Sequence, residues 1–178
     1  YDYNKHHFLS TEVFSAFLAF YWDINEKTEI TFGARYTDEE KEGRIEIPYV
    51  HLFLQGSFSA PPLIDGLEFE DDNISPEIAI NYYVNDDVSV FAAYKEGFKS
   101  GGIDNSALPT ASLSPPDGDF GFLVYQSEEA DGFEVGMKGN FLNNSLRLNA
   151  TIFTYEYTDL QVQLFNSTAI QFSTFNAS

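Results

Sequence analysis

The residues in this sequence that are best suited to bind a metal or a heme are its three histidines. His6 and His7 are adjacent near the start of the chain, and His51 lies far from both. Imidazole is a common metal ligand, but adjacent residues of a strand point to opposite faces, so His6 and His7 cannot share one site. No third ligand is spaced to complete a site. The sequence therefore predicts solvated loop histidines and no metal site.

Carboxylates are the second group with possible metal chemistry. They cluster at residues 38–40, 68–72 and 117–119. Carboxylates at alternate positions can bind calcium, but a complete calcium-binding loop is absent. We interpret the clusters as solvated loop charge, which attracts cationic solutes and repels anionic solutes at long range.

Catalysis by a nucleophile requires an activated serine or cysteine beside a base. The sequence contains no cysteine, which also excludes disulfides and cysteine-ligated zinc. Its serines lie in no G-x-S-x-G motif, and its histidines lie in or beside loops. The sequence therefore predicts a protein that is not an enzyme and that carries no cofactor.

Composition narrows the remaining classes of protein. The 178 residues include 9 basic and 28 acidic side chains, a formal net charge of −19. This charge argues against nucleic acid as a partner, because phosphate binding needs clustered Lys and Arg. A hydrophobic fraction of 43% argues against disorder. No apolar run reaches the length of a membrane helix, about 20 residues, but the alternating strands of a membrane β-barrel remain possible.

Alternation of apolar and polar residues, which is typical of β-strands, recurs along the chain. It predicts strands at 14–22, 30–37, 78–84, 88–95, 133–141 and 146–152, with a partial seventh strand around 170–175. The first of these segments is apolar on both faces. Helical periodicity is hard to find, so the sequence predicts an all-β, antiparallel fold.

The predicted connections alternate between short and long. Short turns at 23–28, 85–87 and 142–145 are rich in Asn and Asp, which tolerate the backbone of tight hairpins. Long loops are predicted at about 38–75 and 97–131, and they contain the pairs Pro61-Pro62 and Pro115-Pro116. Short turns at one rim and long loops at the other are typical of an outer-membrane barrel. Aromatic residues near the strand ends favour this interpretation over a soluble antiparallel β domain.

Three stretches of the sequence together resemble one known family. They are 21–41 (YWDINEKTEITFGARYTDEEK), 88–102 (VSVFAAYKEGFKSGG) and 130–163 (ADGFEVGMKGNFLNNSLRLNATIFTYEYTDLQVQ). The first ends in a pattern of the GxRYTxExK type, the second ends in GFKSGG, and the third closes with DLQV. In this order and spacing they resemble the TonB-dependent receptors of Gram-negative outer membranes.

The residues of these stretches have an architectural interpretation. Alternation places Glu134, Gly136 and Lys138 towards the barrel lumen and their neighbours towards lipid. The glycines of the GFKSGG stretch mark where a strand leaves the membrane, because glycine permits unusual backbone angles. The DLQV run is expected to extend its strand into the extracellular rim. We assign structural roles to Arg35, Tyr36, Gly97, Phe98, Lys99, Gly101, Gly102, Glu134, Gly136, Lys138, Asp159 and Leu160.

The resemblance implies a barrel of about 22 strands, plugged by a globular N-terminal domain that the TonB-ExbB-ExbD system acts on. We find no plug-like region, no signal peptide and too few strands to close even a small barrel of about eight strands. Residues 1–178 are therefore expected to be part of a receptor barrel in a Gram-negative outer membrane, surrounded by its lipid.

The expected function is TonB-dependent uptake of a scarce solute: a ferric siderophore, a vitamin, a heme or an oligosaccharide. The ligand, a small molecule or metal chelate, is expected to bind the long extracellular loops. The candidate contacts are Tyr49, His51, Phe53, Phe120, Phe122 and Tyr125. The alternatives are a passive outer-membrane barrel and a soluble acidic β domain that binds carbohydrate or calcium.

Overall fold

A computed structural model describes residues 2–56, 60–106, 117–167 and 171–177 of the chain. These residues form strands β1 (Tyr3–Asn25), β2 (Thr28–Val50), β3 (Leu63–Asn85), β4 (Val88–Lys99), β5 (Gly102–Ile103), β6 (Val124–Tyr125), β7 (Glu128–Phe141), β8 (Leu146–Thr158), β9 (Leu160–Asn166) and β10 (Gln171–Ala177). Short 3₁₀ helices lie at Leu52–Leu54 and Gly121–Leu123. No helix within these ranges is long and apolar enough to cross a membrane. Pro115, Pro116 and Ile170 lie outside the described residues.

Six strands form one antiparallel sheet in the order β1-β2-β3-β4-β7-β8. Two smaller pairs, β5 with β6 and β9 with β10, complete the described structure. The predicted all-β, antiparallel fold is confirmed. The six-stranded sheet does not close on itself, so β1 and β8 form its two edges.

The three predicted short turns join β1 to β2, β3 to β4 and β7 to β8. In the second turn, the side-chain oxygen of Asn85 accepts hydrogen bonds from the backbone N–H groups of Asp87 and Val88, both at 2.9 Å. In the third turn, Leu142, Asn143 and Asn144 have φ values of 54°, 54° and 66°. Asparagine tolerates this left-handed backbone, which explains why the turn forms here.

The first long loop was predicted too long. β2 continues to Val50 and β3 begins at Leu63, so only residues 51–62 connect them. We call the paired extension, residues 38–50 and 63–75, the outer hairpin. Acidic residues on one face of the outer hairpin alternate with residues that are buried on the other. The charged positions therefore follow the two-residue period of a strand. Their residue types alone had suggested a loop.

The second long loop lies closer to its predicted bounds. β4 ends at Lys99 and β7 begins at Glu128. The connection contains β5 and β6, and we call its described parts, residues 100–106 and 117–127, the two arms. Both arms lie at the same end of the sheet as the outer hairpin, opposite the three short turns. We call this the loop end.

Outside β1, which is apolar on both faces between residues 14 and 22, the six-stranded sheet has one apolar and one polar face. Residues directly opposite one another across the strands share a face, and one such row is Ile30, Ile80, Ala92, Val135 and Ile152. A row on the other face is Asn81, Phe91, Gly136 and Thr151. Val135 is 60% exposed although it is apolar. An apolar face open to its surroundings is typical of a barrel wall against lipid.

The hydrophobic core of the described residues lies at the loop end. Ile45, Ile47, Ile64, Leu67 and Leu123 are buried there, with relative exposures between 1% and 5%. Four come from the outer hairpin and Leu123 comes from an arm, so the cluster attaches the arm to the hairpin. The described part of the second arm is thus packed onto the outer hairpin through Leu123.

Candidate ligand-binding site

Three of the six predicted ligand contacts lie at the tip of the outer hairpin. Tyr49 is near the end of β2 and is exposed. His51 begins the first 3₁₀ helix, and its Nδ1 atom accepts a hydrogen bond from the backbone N–H of Phe53 at 3.2 Å. The His51 and Phe53 rings stack with centroids 5.8 Å apart, and Phe53 is 78% exposed. This tip therefore presents flat, accessible rings.

The other three candidates lie in the second arm, and their environments differ. Phe120 packs against the core cluster, while Phe122, with its ring centroid 6.4 Å away, is exposed. Tyr125 is half-buried on β6, where burial, with the nearby charge of Asp104, raises the pKa of its phenol. Val50, which ends β2, contacts the same core as Phe120. The chain beside Tyr49 and the chain at Phe120 therefore pack against the same hydrophobic cluster.

Lys41, the last residue of the GxRYTxExK pattern, holds the beginning of the first arm. Its Nζ atom donates to the Ser100 hydroxyl at 2.8 Å and to the Gly101 carbonyl at 2.6 Å. It also lies 3.2 Å from a Glu39 carboxylate oxygen and over the Phe69 ring, 5.4 Å from its centroid. Lys41 had no assigned role in the sequence analysis, although it lies within the recognised pattern.

Gly101 allows the two arms to approach each other. A Cβ atom on Gly101 would lie 2.3 Å from the Tyr125 carbonyl oxygen and 2.5 Å from the Phe69 ring. The Gly101 N–H donates to the Ser127 hydroxyl at 3.1 Å, and Ser127 also hydrogen-bonds Asp71. Close approach, rather than a left-handed backbone, therefore explains glycine here, because the positive-φ glycines of the described residues are at other positions.

The other GFKSGG residues occupy the end of β4 and its exit. Gly97 lies inside β4 in open space, so it does not mark the strand end as predicted. Phe98 and Lys99 close the strand, and the Lys99 ammonium lies 3.8 Å from a Glu128 carboxylate oxygen. Gly102 is buried on β5, beside the Tyr125 hydroxyl.

The DLQV run does not continue its strand, in contrast to the prediction. β8 ends at Thr158, Asp159 has a φ of 53°, and Leu160 begins β9. β9 leaves the six-stranded sheet and pairs with β10. The left-handed residue at 159 turns the chain, and a carboxylate side chain tolerates that conformation better than a bulky one.

Asp104 connects the first arm to β10. This buried carboxylate accepts hydrogen bonds from the Ser106 N–H at 2.8 Å, the Ser106 hydroxyl at 2.6 Å and the Thr174 N–H at 2.7 Å. On β1, Lys5 donates to the Asn105 carbonyl at 3.0 Å. Burial lowers the pKa of Lys5, and the negative charge of Asp104 partly offsets this effect.

On the polar face of the sheet, charged and aromatic side chains contact one another. Glu134 accepts a hydrogen bond from the Tyr155 hydroxyl at 2.6 Å and lies 3.4 Å from the Lys95 ammonium. The Lys138 ammonium lies 5.2 Å from the Phe91 ring centroid.

Two other assigned structural residues lie on adjacent positions of β2. Arg35 is paired with Phe17 and Ser75 on the polar face, and the Tyr36 hydroxyl on the apolar face donates to Asp38 at 3.2 Å. A third assigned residue, Gly136, lies on β7. A Cβ atom on Gly136 would lie 2.6 Å from both the Ala150 carbonyl oxygen and the Phe91 ring, so the Phe91 ring can pack here because residue 136 has no side chain.

The residues first considered for metal chemistry lie mostly on strands. His6 is opposite Glu46 and His7 is opposite Ile45 in the β1–β2 pair, so the two imidazoles lie on different faces. Desolvation by burial, together with Lys5, lowers the pKa of His7. Within the described ranges, no three His, Asp or Glu side chains are grouped to hold a metal ion.

The acidic clusters at 38–40 and 68–72 belong to paired strands, which corrects their interpretation as loop charge. Glu40 lies directly opposite both Glu12 and Glu70, and Asp38 lies opposite Asp72. These carboxylates lie on the same face as Ile30 and Phe32, further along β2 towards the loop end. Like charges directly opposite each other destabilise a strand pair.

Comparison with known proteins is consistent with this architecture. Among solved structures, the chain is similar to the ferric yersiniabactin uptake receptor FyuA from Yersinia pestis, with a TM-score of 0.67 and 15% identity over 89% of this chain and 22% of that chain. It is also similar to the siderophore receptor PiuA from Acinetobacter baumannii, with a TM-score of 0.63 and 19% identity over 95% of this chain and 21% of that chain. The alcaligin outer membrane receptor FauA from Bordetella pertussis gives a TM-score of 0.59 and 16% identity over 97% and 26%.

At these identities the similarity shows the fold alone, and the chain spans between 21% and 26% of the lengths of these three receptors. No curated protein sequence shows a significant match. Residues 3–178, however, match the family described as TonB dependent receptor-like, beta-barrel. The family predicted from the three sequence stretches is therefore confirmed: the chain belongs to the β-barrel domain family of TonB-dependent receptors.

Proposed function

We propose that this chain forms part of the wall and of the ligand-capturing end of an outer-membrane receptor that imports its ligand by TonB-dependent transport. The observation that supports the proposal is that the middle and the loop end of one sheet have different surfaces. Its middle has an apolar face suited to lipid and a polar face suited to a lumen, whereas its loop end is a packed unit with exposed aromatic rings.

For the ligand we propose a ferric siderophore, because the similar solved structures include receptors named for such chelates. The rings of Phe53 and Phe122 are the most accessible of the candidate contacts and could stack on a flat or apolar part of a chelate. The formal charge of −19 favours a neutral or cationic complex over a strongly anionic one. Energy transfer would use a plug domain and TonB-ExbB-ExbD, which lie outside this chain.

The test uses the full-length receptor in its outer membrane. Cells with and without the receptor, in a background with and without TonB, are supplied with a panel of labelled ferric siderophores. We expect uptake of at least one chelate to require both the receptor and TonB. Uptake that persists without TonB would indicate a passive barrel, and no dependence on the receptor for any iron chelate would contradict the proposed ligand.

The aromatic contacts are tested by substitution. Phe53→Ala and Phe122→Ala should each weaken binding of the imported chelate by about tenfold, as loss of a central aromatic contact does. Leu142→Ala is the matched control, because Leu142 is also an exposed apolar residue but lies in a short turn at the opposite end. Equal binding by all three variants would show that these rings do not contribute to ligand binding.

A further inference from the structure

The side chain of Gln161, on β9, lies among carbonyl groups of the loop end. Its Nε2 atom is 3.0 Å from the carbonyl oxygen of Ser100, 3.1 Å from that of Gln126 and 3.3 Å from that of Lys99. All three neighbours are acceptors, so an amide nitrogen fits this place and an oxygen does not. The position therefore requires a donor and distinguishes glutamine from glutamate.

The three carbonyl groups belong to the two ends of one connection. Lys99 and Ser100 lie where the first arm leaves β4, and Gln126 lies where the second arm returns to β7. The backbone N–H of Gln161 also donates to the Glu128 carboxylate, at 2.9 Å, in the first residue of β7. One residue from a third segment thus holds both ends of the connection together.

Asn176 on β10 holds the same peptide from the other side. It is the directly paired residue of Gln161 in the β9–β10 ladder. Its side-chain oxygen accepts from the Gln126 N–H at 2.8 Å, and its Nδ2 atom donates to the carbonyl oxygens of Gln126 at 2.9 Å and Asp159 at 2.8 Å. Both backbone groups of Gln126 are therefore bound by this cross-strand pair.

Through these contacts the β9–β10 hairpin, which lies outside the six-stranded sheet, holds the two arms. We propose that Gln161 and Asn176 form a clamp of two positioning residues, which holds the arms so that Phe120, Phe122 and Tyr125 keep one arrangement towards the ligand. The clamp rests on the proposed function for its link to ligand capture, but its effect on the arms is independent of any ligand.

The experiment compares Gln161→Glu, Gln161→Leu and Asn176→Asp in the full-length receptor in outer-membrane vesicles. The first readout is the rate of chymotrypsin cleavage after Phe120 and Phe122, relative to the unmodified receptor at each pH. Gln163→Glu is the matched control, since Gln163 lies two positions along the same strand and its side chain is exposed. Heat-modifiable migration on gels measures the amount of folded barrel, which we expect to be unchanged in every variant.

At neutral pH we expect cleavage to be about tenfold faster in both Gln161 variants and in Asn176→Asp, because the hydrogen bonds that these side chains donate to the arms are lost. The surrounding carbonyl oxygens and the Glu128 carboxylate disfavour an ionised side chain at 161, so they should raise the pKa of the introduced glutamate. At a pH of about 5 the Gln161→Glu receptor should therefore return towards the normal rate, because a protonated carboxyl regains one donor. Gln161→Leu should stay fast, and the Gln163→Glu control should match the unmodified receptor. A merely structural loss of packing would not recover at low pH.

Unchanged cleavage in both Gln161 variants, or equal acceleration in the Gln163→Glu control, would overturn the clamp. If the clamp holds, binding of the imported chelate should weaken about tenfold in Gln161→Leu. Fast cleavage with unaltered binding would overturn the positioning role. Failure of the receptor to bind or import any ferric siderophore would instead count against the proposed function, and the cleavage result would still decide the clamp.

Discussion

At the scale of single residues, the loop end depends on groups whose type is set by close contact. Lys41, Gly101 and Gln161 come from the three stretches that resemble the family, and they meet at the exit of β4. Sequence reasoning recognised the stretches but assigned no role to Lys41 or Gln161. The reason is physical, because the partners that join these residues to the arms include backbone carbonyls, which carry no signal in the sequence.

Gly101 gives a test of this close packing. Gly101→Ala should destabilise the loop end by about 1–3 kcal/mol, because its Cβ would meet backbone and ring atoms that cannot move aside easily. Hydrogen exchange of the Gly102 and Ile103 amides in the full-length receptor measures the effect. Gly97→Ala is the control, since a Cβ there meets nothing within 4 Å. Equal effects of the two substitutions would show that close approach is not what selects glycine at 101.

At the scale of elements, alternation predicted the central part of the strands and the short turns, but not the outer hairpin. In residues 38–50 the acidic positions alternate with positions such as Ile45 and Ile47, which are buried in a cluster that includes Leu123 of the second arm. A partner that comes from another segment cannot be detected from local alternation. For the same reason, β9 was predicted as a continuation of β8, although it turns away at Asp159 to bind the arms.

The outer hairpin provides a prediction about charge. Glu40→Gln should stabilise the β1–β2–β3 pairing by about 0.2–1 kcal/mol, because Glu40 is directly opposite Glu12 and Glu70. Glu39→Gln should destabilise the same strands, because it removes the ion pair with Lys41 on the packed face. Hydrogen exchange of amides in β2 distinguishes the two neighbours. Destabilisation by both substitutions would contradict the assignment of Glu40 to a repulsive row.

At the scale of the whole molecule, the described sheet is an incomplete structure with two faces and two edges. In water, both the apolar face and the unpaired backbone at β1 and β8 would be unfavourable. In a barrel, lipid covers the apolar face and neighbouring strands pair with the edges. The overall class could be predicted from the sequence because alternation and turn length are local properties. The ligand could not, because its contacts come from loops that the alternation does not position.

We expect the apolar face of this sheet to lie against lipid in the receptor barrel. Val135 belongs to that face, opposite Ala92 and Ile152, and Thr151 lies on the polar face opposite Gly136. The most direct measurement is the amount of folded, full-length barrel and its stability after Val135→Arg and after Thr151→Arg. We expect Val135→Arg to lower the stability of the barrel by about 2–4 kcal/mol if residue 135 lies near the bilayer midplane.

Thr151→Arg introduces the same side chain on the other face and should leave the folded amount nearly unchanged, as should Glu134→Gln, whose amide oxygen can still accept from Tyr155. A one-residue shift in register would exchange the two faces completely. The predicted result is therefore a strong defect for Val135→Arg alone. Equal tolerance of arginine at 135 and 151, or a defect at 151 with none at 135, would contradict the membrane-facing assignment of this sheet.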